Sequence, residues 1–168
     1  MKTIGLISDT HSYLHPSIAD FLAQCDEIWH AGDIGDLETA KAIASIKSLK
    51  AVYGNIDDQD IRSFYPLFQS FNCENLQVLM IHIGGYPGKY TSQAKQLIKE
   101  TRPGLFISGH SHILKVVNDK QNKLLHLNPG AAGKYGLHQV ITAMRFKVDG
   151  ANIRDLEILE IEREKNSI

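Results

Sequence analysis

Cysteine is nearly absent from this sequence. Cys25 and Cys73 are the two in 168 residues, they lie far apart, and neither belongs to a CxxC pair. In a chain with no export signal, that spacing reads as two reduced packing residues and excludes a disulfide scaffold. An excess of either charge is also missing: 18 Lys and Arg against 19 Asp and Glu leave a formal net charge of -1. No broad basic field gathers a long polynucleotide, so nucleic acid is not the expected partner. Long apolar runs are lacking too. Nothing approaches the roughly 20 residues that cross a bilayer, and the opening MKTIGLISDTH reaches Asp9 and His11 before a signal-peptide apolar segment could form. The expectation is a cytoplasmic protein with no membrane partner.

What is present is a balance of 43% apolar and 22% charged residues, that of an ordinary globular protein. A chain of this length buries roughly two thirds of its unfolded surface, and no linker, repeat or low-complexity stretch divides it. One domain over residues 1–168 is expected. Strand-like runs fall at Ile4–Ile7, Glu27–His30, Ala51–Tyr53, Phe68–Cys73, Gln77–Ile81 and Leu105–Ile107. Between them, Pro16 opens a helix with Ile18, Phe21 and Leu22 on one face, and Asp36 caps a second presenting Leu37, Ala40, Ile43 and Ala44. A third helix starts near Ser92 and stops at Arg102–Gly104. After Leu114 the pattern turns to strands, KVVND, KLLHL, VITAMRFKV and NIRDLEILEIE, separated by turn residues. The terminal REKNSI is expected to fray. The class is α/β, with helices and strands alternating first, mostly strands later, and two packed sheets.

The unusual polar residues all follow apolar runs. Asp9 and His11 follow LIS, Asp33 follows IWHAG, Asn55 follows VYG, His82 follows VLMI, and His110 and His112 follow LFISG. In open α/β sheets, ligands gather beyond the carboxyl ends of the strands, so the five clusters are placed to converge. Taken singly, most have ordinary readings: a helix cap at Asp9, turn residues at Asp33 and Asn55, a hydrogen-bonded core histidine at His82. The pair His110 and His112 beside Gly109 stands apart, because histidine is scarce elsewhere in the chain. Jointly, two aspartates, an asparagine and four histidines form an oxygen and nitrogen donor set without thiolate. Such a set suits Mn²⁺, Fe²⁺, Ni²⁺ or Zn²⁺ rather than a structural zinc knot. Seven donors exceed the needs of one tetrahedral ion and fit two if a carboxylate bridges them. A pair of ions of that kind holds a hydroxide and clamps a phosphoryl group, which makes phosphoester hydrolysis the leading chemistry.

Asp9-Thr10-His11, Gly32-Asp33, Gly54-Asn55, His82 and Gly109-His110-Ser111-His112 resemble the signature of the calcineurin-like metallophosphoesterase family. The short length and the NPG turn at Asn128–Gly130 are most similar to its small bacterial and archaeal single-domain phosphodiesterases. The resemblance implies a four-layer α-β-β-α sandwich of two mixed sheets flanked by helices. It implies two divalent ions, most often Mn²⁺, with Asp9, His11, Asp33 and His112 holding the first and Asp33, Asn55, His82 and His110 the second. Asp33 is then the bridge, a metal-bridging hydroxide the nucleophile, and a small phosphoester the substrate.

Two departures qualify this reading. Many family enzymes carry a histidine directly after the asparagine as a proton donor, but here Ile56 stands there and gives no proton. Asp57 keeps the acidic position that follows, and its expected role is to orient Asn55 or a ligand histidine. After His82 the chain reads IGG where glycine then histidine is usual, which touches outer contacts and not the ligand. His15 reads as a surface residue at a helix start, His30 as packing beneath Asp33, and His126 and His138 carry no assigned role. GGYPGKY, Gly84–Tyr90, reads equally as a lip over the site or an ordinary loop. A metal-dependent phosphodiesterase, with phosphatase action also open, is the leading function. An interaction scaffold of the same fold with little activity, as in the retromer subunit, is the alternative, and a nuclease ranks below both. The sequence is compatible with a homodimer.

Overall fold

The computed structural model describes residues 1–136 and 138–163, so the expected fraying of REKNSI falls, beyond Arg163, outside the described residues. The chain opens with β1 (Lys2–Ile7), α1 (Pro16–Ala23), β2 (Glu27–His30), α2 (Leu37–Ile46) and β3 (Ser48–Ala51). Local signals set these boundaries. Pro16 starts α1 and His15 caps it, its ring Nδ1 accepting the Ser17 N–H at 3.1 Å. Asp36 caps α2 by accepting the Thr39 N–H at 2.7 Å. Next come α3 (Gln59–Phe64), β4 (Phe68–Cys73), β5 (Leu76–Ile81), α4 (Ser92–Thr101) and β6 (Leu105–Ile107). The strands β7 (Lys115–Asp119), β8 (Leu124–Asn128), β9 (Val140–Asp149) and β10 (Asn152–Glu162) complete the fold.

The strands form two five-stranded sheets, ordered β10-β9-β1-β2-β3 and β4-β5-β6-β8-β7. Both are mixed: β1, β2 and β3 run parallel with β9 and β10 antiparallel, and β5, β6 and β8 run parallel with β4 and β7 antiparallel at the edges. Strands buried on both faces read as continuous runs without charge, as IGLI and VLMI do here. Ile4, Leu6 and Trp29 of one sheet meet Val78, Met80 and Ile107 of the other in a central core. Ile7 and Ile28 face outward against Ile18 and Leu22 of α1 and Ile43 of α2. On the far side Leu79, Ile81 and Phe106 pack under Ala94, Leu97 and Ile98 of α4. The layers are therefore helix, sheet, sheet, helix, as the resemblance implies. Both cysteines are free and buried.

Two elements differ from expectation. The third strand is Ser48–Ala51 rather than Ala51–Tyr53. It is a short edge strand carrying Ser48 and Lys50 in the ladder, which hides its period, while Tyr53 has already turned away to donate its N–H to Pro66. The helix α3 is additional: Asp58 caps it by accepting from Asp60 and Ile61 N–H, and Ile61 alone of its residues is buried. One apolar anchor leaves no helical stripe to read. In β10, a bulge between Arg154 and Glu157 switches faces, so Ile153 and Leu156 point to the central core and Leu159 and Ile161 to the helix side.

His126, at the centre of β8, is fully buried against Phe106 and Tyr90, and neither ring nitrogen has a hydrogen-bond partner among the described residues. Burial disfavours its charged form and holds its pKa down to about 4. The folded value lies below the unfolded one, so its cost to stability is absent well above pH 6.5 and grows as pH falls toward 4. His126→Leu is expected to raise stability at pH 8 by about 1 kcal/mol. Its advantage should widen by about 2 kcal/mol between pH 7 and pH 5 in urea unfolding. A gap independent of pH would contradict this assignment.

Candidate metal centre

Residues after β1, β2, β3, β5 and β6 converge where the carboxyl ends of the two sheets face each other. The backbone after β1 runs beside that after β2, with Asp9, His11 and Ser12 N–H donating to Gly32, Asp33 and Ile34 carbonyls at 2.9, 3.1 and 2.8 Å. From the other sheet, His110 N–H donates to Asp9 Oδ2 at 3.2 Å and Gly109 N–H to the His82 carbonyl at 2.9 Å. All seven predicted donors meet here. They form two groups: Asp9 with His11 and His112, and Asp33 with His82 and His110. The ligand atoms within each group lie within 4.8 Å of one another. Asn55 joins the second group, its Oδ1 lying 3.1 Å from His82 Nε2 and 2.9 Å from His110 Nδ1.

The atoms are oriented for a cation. His82 donates Nδ1–H to the Ala31 carbonyl at 2.7 Å, which leaves Nε2 as a lone pair 3.2 Å from Asp33 Oδ2. Asp33 Oδ1 accepts the Ile56 N–H at 3.1 Å, so Oδ2 faces the cluster and also stands 3.6 Å from His11 Nε2. Asp9 Oδ2 is bound by Ser8 Oγ–H at 2.5 Å and by His110 N–H. Its other oxygen, Oδ1, is buried without a hydrogen-bond partner among the described residues, and so is His11 Nε2 at 3.9 Å from it. Buried polar atoms are rarely left unpaired. These two therefore point to a divalent ion, and the oxygen and nitrogen donors fit one.

The backbone is strained to bring this about. Asp9, His11, Asp33, His110 and His112 all have φ between 46° and 68°. These five donors make up half of the ten non-glycine residues with positive φ among the described residues. Each costs on the order of 1 kcal/mol or more and persists because the surroundings hold it. Gly32, at φ 100°, is held close under His82, where a Cβ would stand 2.6 Å from the ring Nδ1.

Burial alone would raise the Asp9 carboxyl, but its contacts with His11 and His112 outweigh it and hold the group well below the usual carboxylate range. For Asp33, burial is likewise outweighed by the His82 contact. Contact with Asp9 raises His11. His82 is also raised, because the bond to Asp33 overcomes burial.

Asp57 makes no side-chain hydrogen bond to Asn55 or a histidine ring among the described residues, and any support it gives them runs through the backbone. Its buried carboxylate accepts three backbone N–H groups: Gly35 at 2.8 Å, Gly54 at 2.8 Å and Ile34 at 3.2 Å. It thereby ties the segment carrying Asp33 to the one carrying Asn55. Asn128, quoted in the sequence only for its turn, holds the histidine pair: its Nδ2 donates to the Gly109 carbonyl at 3.0 Å and Ser111 Oγ at 3.1 Å. His30 is fully buried, with Nδ1 accepting the Gly32 N–H and Nε2 2.9 Å from Thr10 Oγ1. Thr10 donates its hydroxyl to the Ile34 carbonyl, which fixes His30 as the neutral Nε2–H tautomer. Burial holds its pKa down to about 3. Tyr90, closing the GGYPGKY segment, is buried and bonded to Asp119.

The calcineurin-like phosphoesterase superfamily domain matches residues 1–151. A probable metallophosphoesterase of Methanothermobacter thermautotrophicus is 29% identical over 161 residues, which cover 93% of this chain and 91% of the relative. Among solved structures, a novel archaeal phosphodiesterase superposes with a TM-score of 0.70 at 23% identity, covering 94% of this chain and 99% of that one. Vps29 of Entamoeba histolytica complexed with Zn²⁺ superposes at 0.75 and 15%, covering 96% and 99%. Likeness at such identities establishes the fold, that of the metallo-dependent phosphatases, and bears out the expected architecture.

Asp57→Asn, which keeps the side chain's size but removes acceptor capacity, is expected to weaken divalent-metal binding by roughly 10 to 100-fold. Competition against a fluorescent chelator measures this directly, with circular dichroism checking that the fold is retained. Unchanged affinity would mean the two segments hold their places without the carboxylate.

Proposed function

Because this chain belongs to the calcineurin-like phosphoesterase superfamily, we propose that it is a phosphodiesterase hydrolysing a small phosphoester at two divalent ions, as one domain over residues 1–168. Membership makes it a metal-dependent phosphoester hydrolase; the diester preference, the pair of ions and the ligand set are our reading. The observation that carries it is the position of Asp33 Oδ2, which faces His82 Nε2 at 3.2 Å and His11 Nε2 at 3.6 Å, between the two donor groups.

Asp9, His11 and His112 would hold one ion, His82, His110 and Asn55 the other, and Asp33 is placed to serve either group. Mn²⁺ is the first choice, and Zn²⁺, Fe²⁺ and Ni²⁺ suit the same donors. When bound, the ions supply Lewis-acid charge to the phosphoryl oxygens and lower the pKa of the attacking water. The chain's own work is positional. The Ala31 carbonyl and Ser8 hydroxyl fix the His82 tautomer and the Asp9 rotamer, so the donor atoms need no rearrangement as charge develops. Ile56 lends its backbone N–H to Asp33 Oδ1, and its exposed side chain holds no proton for a leaving alkoxide. Diesters with acidic leaving groups suit such a site best. An interaction scaffold remains the second reading, favoured by the structural likeness to Vps29.

Hydrolysis of bis-p-nitrophenyl phosphate with added Mn²⁺ separates the two. Asp33→Asn is expected to lower the rate by roughly 10² to 10³-fold, whereas equally negligible rates in both proteins would favour the scaffold. Ile56→His is expected to raise turnover of alkyl diesters on the order of tenfold or more while leaving nitrophenyl esters nearly unchanged. Equal effects on both substrate types would place leaving-group protonation elsewhere.

A further inference from the structure

Beside the donor cluster lies a cleft of about 300 Å³ lined by Tyr53, Gly54, Leu67, Ile81, His82, Ile83, Thr91 and Gln93. It adjoins the donor cluster. His82 belongs to both, and Gly54 sits against Asp33, whose carboxylate a Cβ at that position would strike. Apart from His82, no lining residue is ionisable near neutral pH. Leu67 and Ile83 stand 38% and 41% exposed, large apolar side chains left in water at the mouth of a polar site. Tyr53 is held from one face by the Arg62 guanidinium, 4.6 Å from its ring centroid, and Arg62 is itself anchored by donating Nε–H to the Asp57 carbonyl at 2.7 Å.

Resting on the phosphodiesterase reading above, we propose that this cleft receives one ester arm of the substrate, an uncharged, ring-bearing group of nucleoside type. Tyr53, Leu67 and Ile83 are its specificity-determining residues. Because His82 is common to the cleft and the donor set, a phosphoester held by those donors would have the cleft's apolar walls beside one of its arms. A second phosphate or carboxylate on the arm would meet no lysine or arginine among those walls, so a charged arm is disfavoured there. The volume is at the lower end for small-molecule pockets and suits one ring system with a sugar rather than a longer chain. Thr91 has its hydroxyl committed to capping α4, accepting the Ala94 N–H at 3.2 Å. Gln93 is therefore the side-chain amide placed to meet the polar edge of a ring.

The test uses two diesters with the same leaving group: thymidine 5′-p-nitrophenyl phosphate, which carries a ring on its other arm, and methyl p-nitrophenyl phosphate, which does not. The Mn²⁺-loaded wild type is expected to favour the thymidine ester by roughly tenfold or more in kcat/KM, the scale of one stacked base. Leu67→Ser combined with Ile83→Thr changes two partly exposed side chains and leaves every donor in place. It should remove most of that preference by raising KM for the thymidine ester. No preference in the wild type, or one that survives the double substitution, overturns the proposal. A second measurement stands apart from turnover: in the protein loaded with diamagnetic Zn²⁺, methyl resonances of Ile81 and Ile83 should shift on titration with thymidine 5′-monophosphate and not with inorganic phosphate. If neither diester is hydrolysed, the phosphodiesterase reading fails while this titration still judges the cleft. Shifts with thymidine monophosphate alone support it, and equal shifts or none reject it.

Discussion

The donor cluster is arranged around the Asp9 carboxylate, which is fully buried with one oxygen hydrogen-bonded and the other without a hydrogen-bond partner among the described residues. A buried carboxylate is tolerated only when something compensates its charge. Ser8 and the His110 N–H do so for Oδ2, and they come from different sheets, so the charge draws both halves of the sandwich to one point. Oδ1 faces His112 at 3.1 Å and His11 and His82 at 3.9 Å, again across the sheet boundary. The apolar core between the sheets provides most of the stability. The carboxylate determines what is brought together at their common end.

That convergence needs a particular backbone. Five donors in the left-handed region re-aim their side chains within two to five residues of a strand end, where a regular turn would send them to solvent. The strain is offset locally by closely spaced N–H donors. Asp57 gathers three of them, and Ala132 and Gly133 donate to the Ser8 and Asp9 carbonyls at 2.8 and 3.0 Å. Glycines stand where a side chain would occupy the donors' space. The two features explain each other: only a backbone held this firmly can keep polar side chains in sparsely populated conformations.

The seven donors were legible in the sequence because each follows an apolar run, and strand placement is the part of such patterns that periodicity reveals well. Most strands and three helices fell within a residue or two for the same reason. What escaped was held by contacts that leave no period. The helix α3 is anchored by Ile61 alone, and β3 hides its ladder behind Ser48 and Lys50 at a sheet edge. Asp57 was noticed as an acid, but its three backbone partners lie up to 23 residues away, and nothing in a linear pattern distinguishes them from a side-chain partner. His30 and Asn128 act through Thr10 and Gly109, which are brought near only by the sheets.

The electrostatics of the cluster carry the shape of what it binds. Two buried carboxylates are packed among four histidines, and a neutral set of rings would leave their charges unbalanced. Asp9 and Asp33 raise both His11 and His82 above their ordinary value. A proton on either ring competes for the lone pair that a cation requires. Ion binding is therefore expected to weaken as pH falls, while both carboxyls are held below their usual range. The overall charge of -1 has no part in this. A protein with almost no net field still attracts an anionic phosphoester, because its positive charge is concentrated in one place and arrives with the ligands' own cations.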